Sequence, residues 1–257
     1  MNNNVQSLLR GLAILDILAD APEGRASLSD ISKRAGLSRS TAHRLLATLT
    51  ECGYVGRDGD TKAYVLGNRL LRFSTTITRR ASALRALVRP RLEVITRQTG
   101  ETSNLVVLDQ IDAVYVDQVE GTHALRMVPG VGSTFPAYTS ASAKAILAYR
   151  RDSSLVDLMF GKMPLKKRAA RTVTDRNAFL LEMKLVVERG YAVEEDELED
   201  GASCLAAAVR GRDGIAIAAI SVPGPTGRVL APSPERIGTL VKEQAFIVST
   251  ALGFRPR

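Results

Sequence analysis

The sequence predicts an α+β protein in two parts, and three observations support this prediction. Short amphipathic helical segments fill about the first 50 residues, a long helical segment covers about 69–99, and β-type runs dominate after Thr102. Strands followed by helices, more strands and a last helix are typical of a domain with one antiparallel sheet. A chain of 257 residues, 45% of them hydrophobic, can form two domains with separate cores.

A helix and a tight turn are predicted directly after Ser27. Ser27 and Asp30 have the spacing of a capping box, in which two side chains satisfy backbone N–H groups at the start of a helix. The helix should therefore begin at Leu28. It should end at Gly36, because glycine adopts positive φ without a Cβ clash and can reverse the chain.

A further helix should follow the turn, with Ser38 as its cap and Gly53 as its stop signal. One of its faces carries an apolar stripe at helical spacing, formed by Ala42, Leu45, Leu46 and Leu49. The opposite face carries side chains that can reach base edges and phosphates when the helix N-terminus enters a major groove. Such helix pairs also turn corners in ordinary bundles, where a polar face is only a solvated face.

The segment after this helix predicts a β-hairpin, because β-type runs at 54–55 and 64–66 flank a turn rich in Gly and Asp. A hairpin in this position is the wing of a winged helix-turn-helix, and its cations Arg57 and Lys62 would lie against the sugar-phosphate backbone. The residues predicted to contact double-stranded DNA are Ser27, Ser38, Arg39, Ser40, Thr41, His43, Arg44, Arg57 and Lys62.

Helices should flank this motif on both sides. Apolar residues at helical spacing over 5–18 predict a first helix that completes a three-helix core. Residues 69–99 predict a linker helix, interrupted near Ser74-Thr75-Thr76 and bent or restarted at Pro90. The apolar stripe of this linker would either meet a partner chain or cover the sheet that follows.

The remaining elements complete a division into three parts. These parts are a winged helix-turn-helix domain at 1–66, a linker helix at 67–99 and a second domain at 100–257. In the second domain we predict strands at 105–108, 113–116, 125–128, 204–209 and 215–221, and helices at about 141–150, 153–160, 175–189 and 234–252. The strands should form one central antiparallel sheet.

The excess positive charge lies in the first hundred residues. The net charge is +8, with twelve basic and seven acidic residues in 1–80, four and one in 81–100, and nineteen of each in 101–257. A surface that attracts phosphate independently of sequence needs this asymmetry, although a basic surface can also serve solubility or an acidic protein partner.

Several classes of protein are disfavoured by what the sequence lacks. It has no apolar run near the roughly 20 residues that cross a bilayer, and no signal-peptide pattern, so we expect no membrane association and a cytoplasmic location. Cys52 and Cys204 are too few for a disulfide framework or a zinc cluster. No metal or cofactor is predicted.

An enzyme and a redox sensor are the alternatives to a metabolite-responsive regulator. Cys204 opens a run of small apolar residues, Ser140 to Lys144 only loosely resembles a Ser-Lys pair, and 129–134 lacks the end of a phosphate loop. No catalytic set assembles, so we predict that the chain is not an enzyme. A sensor acting through Cys204 would need an exposed thiol of low pKa with a resolving partner.

Four motifs in their order and spacing resemble the isocitrate lyase regulator (IclR) family of bacterial transcription factors. They are R-S-T-x-H-R-L-L in the second helix of the motif, FPAYTSASAKAIL at 135–147, GYAVEEDE at 190–197, and a C-x-A-A-x-V strand leading to 221–225. The resemblance covers about residues 4–252. It implies a dimeric or tetrameric regulator, more often a repressor, whose C-terminal GAF-like domain binds a small metabolite and switches operator affinity.

The resemblance also implies an effector pocket, lined by Ala141, Ser142, Glu194, Ala202, Cys204, Ser221 and Pro223. Glu194 stands where the family commonly has Asp, and Pro223 stands where a hydroxyl residue is often found. Because Pro223 removes a hydrogen-bond donor, a tiny anion such as glyoxylate is disfavoured relative to a larger organic acid or aromatic catabolite. An alternative interpretation makes Glu194 a solvated acid within the acidic run 194–197.

Overall fold

The computed structural model of the chain describes residues 4–150, 153–161 and 164–256, without the side chains of 77–81. The chain divides into two compact units, residues 1–80 and 81–257. In the parts of the chain that the structure describes, no helix is long and apolar enough to span a membrane.

The first unit is built from three helices and a small antiparallel sheet. Its elements are α1 (Gln6–Ala19), β1 (Arg25–Ala26), α2 (Leu28–Ala35), α3 (Arg39–Glu51), β2 (Val55–Arg57) and β3 (Tyr64–Leu66), and the strand order is β1-β3-β2. Its core includes the fully buried side chains of Ile14, Leu18, Ile31 and Leu46. The predicted three-helix core and the hairpin are both confirmed, whereas the two-residue strand β1 is too short to leave a periodic pattern.

Local hydrogen bonds define the helix-turn-helix as predicted. The Asp30 N–H donates to the Ser27 hydroxyl over 3.2 Å, and the Thr41 N–H donates to the Ser38 hydroxyl over 3.2 Å. Gly36 ends α2 with a φ of 63°, which is left-handed backbone that glycine adopts without strain. The predicted starts of α2 and α3 are therefore confirmed.

Helix α4 (Leu70–Thr99) is continuous, so the interruption predicted near Ser74-Thr75-Thr76 is wrong. The hydroxyls of Thr75 and Thr76 donate to the carbonyls one turn earlier, over 2.8 and 3.0 Å, and are thereby satisfied inside the helix. The helix also continues through Pro90 without a new start. Val88 and Leu92 on either side are fully buried in the core of the second unit, and this burial offsets the backbone hydrogen bond that proline removes.

The second unit is organised around one six-stranded antiparallel sheet of order β6-β5-β4-β9-β8-β7. Its strands are β4 (Ser103–Asp109), β5 (Asp112–Val119), β6 (Thr134–Pro136), β7 (Ala192–Glu195), β8 (Ala202–Arg210) and β9 (Ala216–Pro225). Its helices are α5 (Ala141–Ala148), α6 (Ser154–Gly161), α7 (Arg176–Arg189), α8 (Thr226–Val229) and α9 (Glu235–Ala251). The predicted single antiparallel sheet is confirmed.

The two faces of this sheet have different roles. Leu105, Leu205 and Ile220 point to one face and form the main core with α4 and α9. On the other face α5 packs against β8 and β9, where the facing side chains are small, such as Ala206 and Ala219. Small residues bring α5 close to the sheet and place its first turn over the sheet.

The strand predicted at 125–128 is wrong, because this segment is a loop. Leu125 is 71% exposed, and its carbonyl accepts a hydrogen bond from the Arg228 guanidinium over 2.7 Å instead of joining a strand ladder. The third strand of the meander is β6, further along the chain. Strand β7 was not predicted, since its acidic residues lack the alternation that reveals a half-buried strand.

Candidate functional site

The outer face of α3 presents cationic and hydroxyl side chains to solvent. Arg39, Ser40, His43 and Arg44 are exposed, while Ala42 and Leu46 on the inner face are fully buried. Neither Arg39 nor Arg44 forms an ion pair with any of the described residues. Both guanidinium groups are therefore available for an external anion or a base edge.

Hydroxyl groups cluster at the N-terminus of α3. The Ser38 Oγ lies 3.0 Å from the Ser40 Oγ and 2.9 Å from the Thr41 Oγ1. Ser27 occupies the equivalent cap of α2, and its hydroxyl donates to the Asp30 carboxylate over 2.6 Å. A helix N-terminus with free N–H groups and nearby hydroxyls is suited to binding a phosphate.

The two cations of the predicted wing are held differently. The Arg57 guanidinium lies 4.6 Å from the centroid of the Tyr64 ring and donates to its hydroxyl over 2.6 Å. Lys62 lies in the hairpin turn with a φ of 58°, is exposed, and has no ion pair among the described residues. Arg57 is therefore fixed along the hairpin, and Lys62 extends from its tip.

A narrow cavity lies between the first turn of α5 and the sheet. It is lined by Tyr115, Met127, Phe135, Thr139, Ser140, Ala141, Ser142, Glu194, Leu198, Ala202, Ser203, Cys204 and Pro223. Six of the seven residues predicted to bind an effector are in this set. Ser221 is the exception: it is buried on the same sheet, with 1% of its surface exposed, and is not part of the lining.

The cavity has room for little more than water in this form of the protein. Its empty volume is about 390 Å³, but the space open to a water-sized molecule is only about 30 Å³. Ligand cavities usually measure roughly 300–1,000 Å³. Side chains or loops must therefore move apart when a molecule larger than water enters.

Glu194 is buried in this cavity, with 5% of its surface exposed. Its carboxyl accepts hydrogen bonds from the backbone N–H groups of Glu197 at 2.6 Å and Leu198 at 3.4 Å. Burial raises the pKa of Glu194 to about 7, and the neighbouring Glu197 carboxylate adds to this effect. The alternative interpretation of Glu194 as a solvated acid is therefore wrong.

Lys144 is a residue of the site that sequence reasoning did not select. It is fully buried on α5, and its Nζ lies 2.5 Å from the Glu197 Oε1. Glu197 in turn donates its backbone N–H to Glu194, so the pair supports one wall of the cavity. A lone lysine inside the apolar run A-S-A-K-A-I-L was the available signal, since a cation there must be either paired or at an exposed position.

Cys204 does not have the properties of a redox sensor. Burial, followed by the nearby charge of Glu194, raises the pKa of the Cys204 thiol above its usual range, which disfavours the reactive thiolate. Cys52 is exposed but belongs to the first unit. The residues that the structure describes include no group of three His, Cys, Asp or Glu side chains arranged for a metal ion.

A winged helix-turn-helix with unpaired cations on α3, followed by a sheet domain with a polar cavity, defines a DNA-binding transcriptional regulator that responds to a small molecule. Residues 77–250 match the family described as bacterial transcriptional regulator IclR C-terminal, and residues 7–59 match the IclR helix-turn-helix domain. The chain belongs to the IclR family. The resemblance noted in the sequence is thereby confirmed, together with the expected fold class.

Individual relatives agree with this assignment over nearly the whole chain. The transcriptional repressor IclR of Escherichia coli strain K12 is 32% identical over 251 residues, which cover 97% of this chain and 90% of that protein. The crystal structure of Thermotoga maritima IclR has 30% identity and a TM-score of 0.73, covering 98% of this chain and 100% of that one. An IclR homologue of Microbacterium hydrocarbonoxydans complexed with 4-hydroxybenzoate has 26% identity and a TM-score of 0.78, covering 96% and 99%.

The family also decides between the classes of function considered for the sequence. The matched relatives are named as regulators and repressors, including the regulator KdgR of Escherichia coli at 28% identity over 98% of this chain. The chain is a regulator and not an enzyme.

Proposed function

We propose that this regulator is a cytoplasmic repressor that binds its operator as a homodimer or tetramer and releases it when an organic acid or aromatic catabolite fills the cavity. One observation carries this proposal: the cavity joins a buried carboxyl group, a buried hydroxyl and a helix N-terminus to an aromatic wall. A cavity of this composition matches an anion with a flat apolar body.

The polar end of the cavity suits a carboxylate. Ser142 is 2% exposed and lines the cavity, so its hydroxyl can serve as a hydrogen-bond donor there. It lies in the first turn of α5, where backbone N–H groups are free to donate to an anion. A carboxylate placed here would gain donors without any cationic side chain.

The other end of the cavity suits an aromatic ring. The rings of Tyr115 and Phe135 lie 4.7 Å apart between centroids, and Met127 and Leu198 complete an apolar wall. Aromatic rings favour offset or tilted packing against such a wall. The 4-hydroxybenzoate bound to the relative from Microbacterium hydrocarbonoxydans is a compound of this class and supports the choice.

Operator recognition is assigned to α3 and the wing. Arg39, Ser40, His43 and Arg44 would read base edges and adjacent phosphates, with the hydroxyls of Ser27, Ser38 and Thr41 and the cations Arg57 and Lys62 on the sugar-phosphate backbone. Phosphate contacts position the protein, and base contacts provide specificity.

Replacing Arg39 by alanine is expected to weaken binding to the operator by about 1–3 kcal/mol, or roughly 5–150-fold. Binding to random DNA should weaken far less, because a base contact is lost only on the true site. Fluorescence anisotropy with both DNAs measures the two losses. Arg212→Ala removes the same charge from an exposed position in the second unit and is the control. Equal losses on the two DNAs would assign Arg39 to a phosphate.

An apolar groove on the first unit supports the proposed dimer. It is lined by Leu8, Leu12, Leu15, Leu45, Leu49, Tyr54, Leu70 and Phe73, with a volume of about 710 Å³. On its rim Leu8 is 61% exposed and Phe73 is 50% exposed. One recognition helix contacts only a few base pairs, so a second copy is needed for useful specificity, and we assign this groove to it.

Effector and operator sites lie in different units, so the ligand must act through the dimer. It can change operator affinity only by favouring one of two arrangements, each with its own DNA affinity. Helix α4 runs from residue 70 to residue 99 across the boundary between the units, and we propose it as the linker that transmits the change.

Glu194 provides the test of the effector site, through its pKa of about 7. An anionic effector repels the ionised carboxylate, so its binding favours the protonated form. Affinity for an organic acid should be highest below pH 7 and fall by up to about tenfold per pH unit above it. Glu194→Gln should remove this dependence and bind the effector more tightly than the wild type at pH 8.

The measurement starts from a thermal-shift screen of organic acids and aromatic catabolites. The hits are then titrated into the protein–operator complex at pH 6, 7 and 8. Operator affinity without effector should be the same in the wild type and Glu194→Gln, since Glu194 is distant in sequence from the wing. Identical release midpoints for both proteins at every pH would place Glu194 outside the effector site.

A further inference from the structure

A row of polar side chains crosses the sheet beside the cavity. Asn104 on β4 pairs with Gln118 on β5 and with Ser221 on β9, so the three side chains lie on the same face. The cavity residues Cys204 and Pro223 occupy this face as well, because Cys204 pairs with Pro223 and Ala206 pairs with Ser221 on the same two strands. The row therefore lies on the same face of the sheet as the cavity wall, and Ser221 is two residues from the lining residue Pro223 on β9.

The amide groups of this row have unused hydrogen-bonding capacity. Asn104 is fully buried, and neither its Nδ2 nor its Oδ1 has a hydrogen-bond partner among the described residues. The Nε2 of Gln118 is also buried without such a partner. Native proteins pair most buried polar atoms, and three unpaired atoms on adjacent strands require an explanation.

We propose that the row Gln118, Asn104 and Ser221 is a second polar subsite of the effector cavity, which binds a hydroxyl group of the effector separate from its carboxylate. This inference rests on the proposed binding of an organic acid in the cavity. It makes the effector a hydroxy acid with two separated polar ends.

The chemistry of the row selects an uncharged group that both donates and accepts. A hydroxyl can donate to the Asn104 Oδ1 and accept from the Gln118 Nε2, which uses the amides as they stand. The row contains no cationic side chain, so a second carboxylate would be buried without a counter-charge. A site of this kind discriminates strongly between a ligand with the hydroxyl group and the same ligand without it, because the second leaves the polar groups of the site unpaired.

One loop contacts both the row and the cavity. The Gln118 Oε1 accepts a hydrogen bond from the Gly130 N–H over 3.2 Å, and Met127 of the same loop lines the cavity. The cavity itself is narrow, and a movement of this loop would give a ligand access to both the cavity and the row. Displacing it would free the Gln118 carbonyl oxygen as a further acceptor.

Asn104→Leu tests the subsite in the ligand-free protein. If the amide is a binding group without a partner, an apolar side chain of similar shape should raise the unfolding temperature by about 2–4 °C. Ser103→Ala is the matched control on the opposite face, where the Ser103 hydroxyl is paired with Thr96 and with the Leu92 carbonyl. That control should unfold at a lower temperature than the wild type. An Asn104→Leu protein that unfolds several degrees below the wild type, or fails to fold, overturns the subsite.

Ligand binding gives the second readout, with benzoate and 4-hydroxybenzoate as probes. The full-length wild type should bind the hydroxylated acid about tenfold more tightly, and Asn104→Leu should bind both acids equally. Gln118→Met provides a second variant and should reduce the ratio as well. An unchanged ratio in both variants overturns the subsite while leaving the proposed function intact. If neither acid affects operator release, the proposed effector class fails, and the change in unfolding temperature alone decides the subsite.

Discussion

Replacing Lys144 by methionine is expected to lower the free energy of unfolding by about 3–5 kcal/mol at pH 8, because it leaves the Glu197 carboxylate buried without its partner. Lys144 is fully buried, and the exposed fraction of the Glu197 side chain is only 7%. Methionine fills nearly the same volume, so the loss reports the unpaired charge and not a cavity. Urea unfolding followed by far-ultraviolet circular dichroism measures it.

The stability that Lys144→Met loses should increase as the pH rises. Burial already raises the pKa of Glu197, and removing the Lys144 charge raises it further. When a carboxyl group has a higher pKa in the folded state than in the unfolded state, it stabilises the fold fully at a pH below the unfolded-state pKa. This contribution is lost as the pH rises through the folded-state pKa. The variant should therefore approach the wild type near pH 5 and fall behind it toward pH 8.

The double variant Lys144→Met, Glu197→Gln is the control for this prediction. It removes both charges, so most of the stability should return. If the free energy of unfolding of Lys144→Met lies within about 1 kcal/mol of the wild-type value at pH 8, Lys144 and Glu197 do not form a buried ion pair, because surface ion pairs contribute only about that much. In that case the pair must be hydrated in solution.

The double variant Leu8→Glu, Leu12→Glu is expected to bind the operator about 10²–10⁴-fold more weakly than the wild type. The two leucines are 61% and 49% exposed on α1, at the groove assigned to the second copy. Four carboxylates facing each other in a dimer would prevent pairing, so each winged domain would bind its half-site alone. Sedimentation velocity and footprinting of the operator measure assembly and binding.

A matched control uses two exposed apolar residues of the second unit. Leu125 is 71% exposed and Leu181 is 59% exposed, and Leu125→Glu, Leu181→Glu adds the same charge away from α1. This control should retain wild-type operator affinity. A Leu8, Leu12 variant that remains dimeric would contradict the assigned interface. A wild-type monomer that protects its operator at nanomolar concentration would contradict the dimer itself.

Local signals in the sequence were sufficient to predict the structure of the DNA-binding unit. The caps Ser27 and Ser38 and the turn at Gly36 were predicted to the residue, because each depends on hydrogen bonds or backbone sterics within four positions. The apolar stripe of α3 was predicted for the same reason, since helical periodicity alone decides which side faces the core. The single antiparallel sheet followed from the order of strands and helices.

The residues of the effector cavity could not be predicted from local patterns. Its residues come from five separate stretches of chain, and only the resemblance to the IclR family brought Ala141, Glu194 and Cys204 together before the structure did. Nothing in composition or spacing indicates that β7 lies beside β8 or that α5 begins over the sheet. The family pattern also included Ser221, which is buried and is not part of the cavity lining.

The sequence by itself determined the winged helix-turn-helix, the α+β class and the family, because these depend on short-range patterns and on the order of motifs. Only the tertiary structure decided that Glu194 is buried in a run of four acids, that Lys144 pairs with Glu197 across 53 residues, and that 125–128 is a loop. The physical reason is that burial and charge pairing depend on which elements lie against each other. The elements that pack around Glu194 determine how far it is removed from water and therefore raise its pKa. The sequence of residues 194–197 shows only four consecutive acidic residues.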